Sequence, residues 1–174
     1  NIGCPGRLTA HKNQKIVIEA LSRIKASTHQ EFHLFFAGTG EDLPQLKTIA
    51  KQLSIADHIT FLKHLSAEDM VTFYKEMDVI VLPSLDEAFG LVFIEAISLS
   101  TPVLVSSQFG ALNFLKNKKK ELGKFTFNPE SANDLLDKLL PYFKNEGLSK
   151  DFFKHLYKQN FDKDIIFNKI LKTI

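Results

Sequence analysis

Val79-Ile80-Val81-Leu82-Pro83-Ser84-Leu85-Asp86-Glu87-Ala88-Phe89-Gly90-Leu91-Val92-Phe93-Ile94-Glu95-Ala96 runs from a β-rich segment through a short polar loop into an apolar helical pattern. Its first four residues are apolar without alternation, as in a strand covered on both faces. Strands of that kind belong to parallel sheets, whose crossovers lay helices on either side. Outward from here the same pattern repeats. His33-Leu34-Phe35-Phe36-Ala37, Ile59-Thr60-Phe61-Leu62 and Pro102-Val103-Leu104-Val105 are further continuous runs, while Lys124-Phe125-Thr126-Phe127 and the stub Ile2-Gly3-Cys4 are weaker ones. Between them apolar residues recur at helical spacing: Ile16, Ile18, Leu21 and Ile24; Leu43, Leu46, Ile49 and Leu53; Met70, Phe73, Tyr74 and Met77. This alternation predicts an α/β domain, a single Rossmann-like doubly wound parallel sheet with helices on both faces. Past Asn128-Pro129-Glu130-Ser131 the pattern turns helical only. Leu135, Leu136, Leu139, Leu140 and Phe143 mark a helix capped by Ser131, and two more helical patterns follow Gly147. One carries Phe152, Phe153, Leu156 and Tyr157; the other carries Ile165, Ile166, Phe167, Ile170, Leu171 and Ile174. Lys116 to Lys120 reads as a solvated loop.

The chain has 174 residues, 44% hydrophobic and 24% charged, within the range of one ordinary globular domain. At this length folding buries roughly 70% of the extended chain's surface, enough for a core without staples. Cys4 is the single cysteine, so no internal disulfide forms, and no Cys/His grouping has zinc spacing. A reducing compartment is expected. The longest apolar stretch, Gly90 to Leu99, is broken by Glu95, and the N-terminus shows no basic-then-apolar signal. A cytoplasmic protein follows, with membrane contact at most peripheral. The net charge of +2 argues against a nucleic-acid binder. The chain starts at Asn1, within residues that already read as strand, so it is expected to be a piece of a longer protein.

Open parallel sheets bind ligands beyond the carboxyl ends of their strands. The first such loop, Gly6-Arg7-Leu8-Thr9-Ala10-His11-Lys12-Asn13, sets one of only two arginines and a lysine together, which suits a ligand with two phosphates. A surface ion pair at Arg7 and a solvated Lys12 would read the same way. In the second loop, Gly38-Thr39-Gly40 resembles the start of a dinucleotide fingerprint, but Leu43 stands where the third glycine belongs. A tight turn explains it equally well. The absence of Gly-Lys-Ser/Thr excludes a P-loop. In the opening stretch, backbone N–H groups from Phe89 to Val92 at a helix start can cradle a phosphate, with Gly90 allowing close approach. Glu87 would face a sugar ring. Glu95, about two turns along an apolar helix, is expected to be buried and so to need a partner such as ribose hydroxyls; an internally satisfied glutamate is the alternative.

Glu87-x7-Glu95 behind Pro83-Ser84, Gly6-Arg7-Leu8 followed by Lys12, Gly38-x-Gly40, Asp78 before a β-rich run, and Thr101-Pro102-Val103 together resemble one family. They are similar to the donor-binding C-terminal half of the group 1 (family 4) retaining glycosyltransferases of GT-B fold, in register from about residue 5 to about residue 143. In that family two Rossmann-like domains face each other across a cleft. The resemblance implies that residues 1–174 form the nucleotide-sugar-binding domain, with helices at about 149–174 docking toward a missing N-terminal acceptor-binding domain. It assigns Arg7, Lys12 and Glu87 to catalysis, the two cations on the diphosphate and the acid on the sugar. Gly6, Phe89, Gly90, Leu91, Val92 and Gly110 would contact the donor, Glu95 its ribose, and the loop at Lys63 its base. Three positions depart from the family pattern: Lys63 and Ser100 replace glycines, and Asn113 replaces a glutamate. The resemblance implies no metal and no cofactor, because fixed cations and a helix N-terminus can neutralise the departing diphosphate. Retention of anomeric configuration is implied by it alone. A nucleotide-sugar epimerase, a non-catalytic nucleotide-sugar-binding or interaction module, and a regulatory α/β domain are the competing readings.

Overall fold

The computed structural model describes residues 1–28 and 30–162, the side chains of 116–120 excepted. Among these residues six parallel strands form one sheet: β1 (Ile2–Pro5), β2 (Leu34–Ala37), β3 (Ile59–Leu62), β4 (Val79–Leu82), β5 (Val103–Ser106) and β6 (Thr126–Phe127). Their order is β3-β2-β1-β4-β5-β6. Helices α1 (Lys15–Ser27), α2 (Leu43–Gln52), α3 (Ala67–Glu76) and α4 (Leu91–Ser98) each join one strand to the next. Right-handed crossovers carry the chain outward through α1 and α2 on one face, then back through α3 and α4 on the other. Next come α5 (Lys119–Phe125), α6 (Ala132–Phe143), which packs on α1, and α7 (Lys150–Asn160), which packs on α4.

Every residue of β1, β4 and β5 is buried, in keeping with their unbroken apolar runs. The stub Ile2-Gly3-Cys4, the least strand-like run in sequence, lies at the centre of the sheet. Gly3 weakens its appearance and is required there, because a Cβ would collide with Ile80, Met77 and Phe73. Burial also pushes the Cys4 thiol far up, leaving it unreactive.

Two expectations are corrected. The run at Lys124 is strand only at Thr126–Phe127, since Lys124 and Phe125 finish α5. The stretch from Lys116 to Lys120 is not a loop: its backbone continues the 3-10 helix Gly110–Lys118 into α5, anchored by the buried Ala111, Leu112 and Leu115. Ser131 caps α6 as expected, its hydroxyl accepting from the Asp134 N–H at 3.2 Å. The helical pattern from Ile165 to Ile174 lies outside the described residues.

Two features position the site. β1 pairs with β2 over four residues but with β4 over only two, Ile2 with Val79 and Gly3 with Ile80. Toward their carboxyl ends β1 and β4 therefore part, at the place where the strand order reverses direction. A row of aromatic rings also climbs from the core to this end: Phe125 stacks on Phe93 (6.2 Å), Phe93 meets Phe161 (6.1 Å), Phe161 meets Phe114 (6.3 Å), and Phe114 meets Phe89 edge-on (5.6 Å).

Candidate functional site

The loop after β1 opens at Gly6, whose φ of +134° strains any residue with a side chain, and the space where a Cβ would sit is open. Its backbone is fastened to the loop after β2: the N–H of Gly6 donates to the Ala37 carbonyl and that of Leu8 to the Thr39 carbonyl, both at 2.9 Å. Gly38 and Gly40 make this possible, because a Cβ on either would overlap the carbonyl of Gly6 or Leu8. The Gly-x-Gly pair thus serves loop-on-loop packing. Gln14, 2% exposed, donates its side-chain amide to the Arg7 carbonyl at 2.7 Å and fixes the peptide that carries Arg7. The Arg7 side chain is exposed, and no ion pair engages it among the described residues. A 3-10 turn, Ala10–Lys12, ends at Asn13 with φ +55° and turns Lys12 toward β4. There the Lys12 ammonium pairs with the Glu87 carboxylate, both side chains about four-fifths buried. Lys12 is therefore not a solvated helix-start residue. The Leu85 N–H, donating to the His11 carbonyl at 2.9 Å, ties the two loops a second time.

The loop after β4 is fastened on its other side to the loop after β5. Glu87 donates its N–H to the Gln108 carbonyl (3.2 Å), and its own carbonyl accepts from Gly110 (2.8 Å). Gly110 has no room for a Cβ, which would strike the Ala88 carbonyl. Gly90, at φ +88°, sits under the Phe109 ring and caps α4 without a side-chain hydrogen bond. Beyond it Leu91 is 63% exposed and Phe89 37%, with Val92 half-buried.

Glu95 is placed differently from expectation. It is exposed, not buried, and stands one turn past Leu91, not two. Leu91, Glu95 and Ser98 form the outward stripe of α4 while Phe93, Ala96 and Ile97 face the core, so an apolar helix still carries an acid on its open side. One carboxylate oxygen accepts from the Tyr74 hydroxyl of α3 at 2.9 Å.

Arg7, Lys12, Glu87 and the turn from Phe89 to Val92 thus gather around the parting of β1 and β4. Lys63 stands apart, exposed on the loop after the edge strand β3, about 10 Å from β1 by strand spacing. Beside Glu87 opens a groove of about 770 Å³ bounded by Asp86, Gln108, Gly110, Asn113 and Thr126. An anion entering the crevice meets the charge of Arg7, unpaired among the described residues, the start of α4, and a lysine held by a carboxylate that it must displace.

The model of the family described as glycosyl transferases, group 1, matches residues 2–159. The chain belongs to the group 1 glycosyl transferases. A relative in Methanocaldococcus jannaschii, described as an uncharacterized glycosyltransferase, is 29% identical over 167 residues, which is 92% of this chain and 42% of that protein. Among solved structures, a glycosyltransferase from Rickettsia africae matches with a TM-score of 0.80 at 23% identity, over 99% of this chain and 46% of that one. Anabaena HepE in complex with UDP matches with a TM-score of 0.80 at 21% identity, over 99% of this chain and 47% of that one. The chain spans less than half the length of each. Its sheet is the C-terminal Rossmann-like unit of the GT-B glycosyltransferase fold, and family membership removes the epimerase reading.

Reading the glycosyltransferase sequence missed Gln14 and Tyr74. Gln14 stands in the polar run His11-Lys12-Asn13-Gln14-Lys15 that leads into α1, and Tyr74 carries the hydroxyl in an otherwise apolar stripe of α3. A lone polar group on a buried face was the available signal for Tyr74, whereas Gln14, with polar neighbours on both sides, carried no local signal of its burial.

Proposed function

We propose that the chain is the donor-side half of a hexosyltransferase, gripping a nucleoside diphosphate sugar in the crevice between β1 and β4 and delivering the sugar to an acceptor held by a facing domain. The observation that carries this reading is the meeting of the β1 loop and the β4 loop through Lys12 and Glu87 at the parting of the two strands.

Glycosyl transfer must separate a sugar cation from a diphosphate. Fixed positive charge aimed at the leaving oxygens lowers that barrier most, by about 3–4 kcal/mol per well-placed donor. Arg7, Lys12 and the first N–H groups of α4 supply it, with no metal ion in the step. As the diphosphate takes Lys12, Glu87 is released toward the sugar hydroxyls and Glu95 accepts from the ribose hydroxyls. Gly90 lets the backbone come within reach of the phosphate, and the loop at Lys63 lies where the base would extend. Transfer proceeds with retention, the acceptor approaching on the face the diphosphate leaves. The reaction takes place in the cytoplasm, with any membrane contact peripheral. UDP, bound in the Anabaena structure, is the first nucleotide to try.

Thermal unfolding in the presence of UDP, GDP, ADP and their sugars, with and without EDTA, tests this. A nucleotide at ten times its dissociation constant stabilises the chain by about 1.4 kcal/mol, a shift of about 3–6 °C at this size, and EDTA leaves it unchanged. No shift from any of them at millimolar concentration would overturn the reading, and loss of the shift in EDTA would overturn its metal-independent form.

A further inference from the structure

We propose that Tyr74 is a positioning residue for the donor's ribose: its buried phenol holds the Glu95 carboxylate in place and thereby sets a preference for ribonucleotides over deoxyribonucleotides. The inference rests on the reading of Glu95 as the ribose contact.

Glu95 is an exposed side chain on the outward stripe of α4, and such a side chain is ordinarily free to sample many rotamers. A carboxylate that must be ordered afresh by each ligand gives up part of its hydrogen-bond energy in doing so. Here it is ordered in advance. The Tyr74 hydroxyl donates to Glu95 Oε2 at 2.9 Å. Tyr74 itself cannot follow a moving partner: it is 2% exposed, packed edge-on against Phe73 with ring centres 6.0 Å apart. Its backbone carbonyl also accepts from the hydroxyl of Thr101, equally buried, at 2.9 Å. α3 therefore presents a fixed donor to a mobile acceptor on α4.

The chemistry of the pair determines what it recognises. Burial, with the charge of Glu95 second, pushes the Tyr74 hydroxyl well above its ordinary range, so the phenol stays protonated and remains a donor. An ionised carboxylate only accepts. With Oε2 spent on the phenol, Glu95 offers its other oxygen to an incoming hydroxyl, and a ribose supplies one where a deoxy sugar offers only carbon. Hydrogen bonds to a charged group are the strong ones, and they are strongest when no ordering is required.

Calorimetric titration of the 174-residue chain with uridine diphosphate, guanosine diphosphate and their 2′,3′-dideoxy counterparts tests the proposal, in wild type, Tyr74→Phe, Glu95→Ala and the double variant. Wild type is expected to favour the ribonucleotide roughly ten-fold, and Glu95→Ala to abolish that ratio. Tyr74→Phe should cut the ratio about three-fold or more with dideoxynucleotide affinity unchanged, and should add nothing in the Glu95→Ala background. If Glu95→Ala abolishes the ratio while Tyr74→Phe retains it, or lowers both affinities alike, the proposal is overturned and the ribose reading stands. If nothing binds, or Glu95→Ala keeps the ratio, the ribose reading falls and the proposal with it. Should Tyr74→Phe fail to fold, a measurement that leaves Tyr74 intact takes its place. A slowly exchanging Tyr74 hydroxyl proton in the NMR spectrum of wild type with uridine diphosphate bound, lost in Glu95→Ala, supports the link. Its absence from the wild-type complex sinks it.

Discussion

Lys12 and Glu87 are 75 residues apart along the chain and in contact in the fold, so each holds the other's charge in check. Arg7 has no such partner among the described residues, and the two cations should therefore respond differently to substitution. Arg7→Ala removes charge that is free to meet a diphosphate, and is expected to weaken nucleoside diphosphates by about ten- to a hundred-fold with nucleoside affinity unchanged. Lys12→Ala should weaken diphosphates less, because part of its attraction is already spent on Glu87. Calorimetry with uridine and uridine diphosphate separates the cases, and equal losses for nucleoside and diphosphate would remove both residues from the phosphate. Glu87→Gln frees the lysine: free nucleoside diphosphate should bind several-fold more tightly, while the preference for the nucleotide sugar over the bare diphosphate disappears. Tighter binding of both together would show that Glu87 does not meet the sugar. That Arg7, Lys12, Glu87 and Gly90 lie on loops at strand ends was legible in the sequence, because charge and glycine are conspicuous there. The mutual pairing of Lys12 and Glu87 was not, since nothing local brings loops so distant in sequence together. The exposure of Glu95 was hidden by its apolar neighbours, which said only that α4 packs on something and not which of its stripes does so.

The loops after β1, β2, β4 and β5 are not independent. Backbone hydrogen bonds link the first pair, Leu85 with His11 links across the parting, and Glu87 with Gly110 links the last pair. Glycine at the points of contact is what permits this. Gly38→Ala combines a backbone at φ +148° with a Cβ against the Gly6 carbonyl, and should cost roughly 2–4 kcal/mol. At this size each kcal/mol lowers the melting temperature by about 2–4 °C. Gly123→Ala, at a position within α5 with an ordinary φ and nothing within reach of a Cβ, is the control and should hold the melting temperature or raise it by a few degrees, as alanine favours a helix by about 0.5–1 kcal/mol over glycine. Equal shifts for the two would deny that the loops lean on each other. Elements with long periodic patterns, α1, α3 and α6, could be read directly from sequence. β6 has two residues, and β1, though as long as β2 to β5, holds Gly3 and Pro5; their strand character comes from neighbours brought in by the fold, so local pattern understates them. The 3-10 run Gly110–Lys118 was obscured by its lysines, although Leu112 and Leu115 already showed the spacing that buries it.

At the scale of the molecule the proposed function gives this chain one wall of a two-walled cleft. Transfer requires donor and acceptor fixed in a water-poor cleft, so the 174-residue chain should bind donor without transferring sugar at an appreciable rate. Activity should return when it is joined to the rest of a full-length group 1 enzyme; full-rate transfer by the chain alone would overturn the half-enzyme reading. The two-pair ladder between β1 and β4 has a further consequence, for folding. Residues 2–62 can assemble β1, β2 and β3 by local steps, and residues 79–127 can assemble β4, β5 and β6, but among the described residues the strand ladder between the two halves has only two pairs, Ile2 with Val79 and Gly3 with Ile80, with the loop contacts of Lys12 with Glu87 and of Leu85 with His11 beyond it. That ladder is thin, and the crevice lies at its open end. A diphosphate held by Arg7 and Lys12 on one half and by the start of α4 on the other would act as a staple across it. Amide hydrogen exchange should then slow in β1 and in β4 together when uridine diphosphate binds, well beyond the residues it touches. Protection confined to the loops would mean that the two halves already open and close as one.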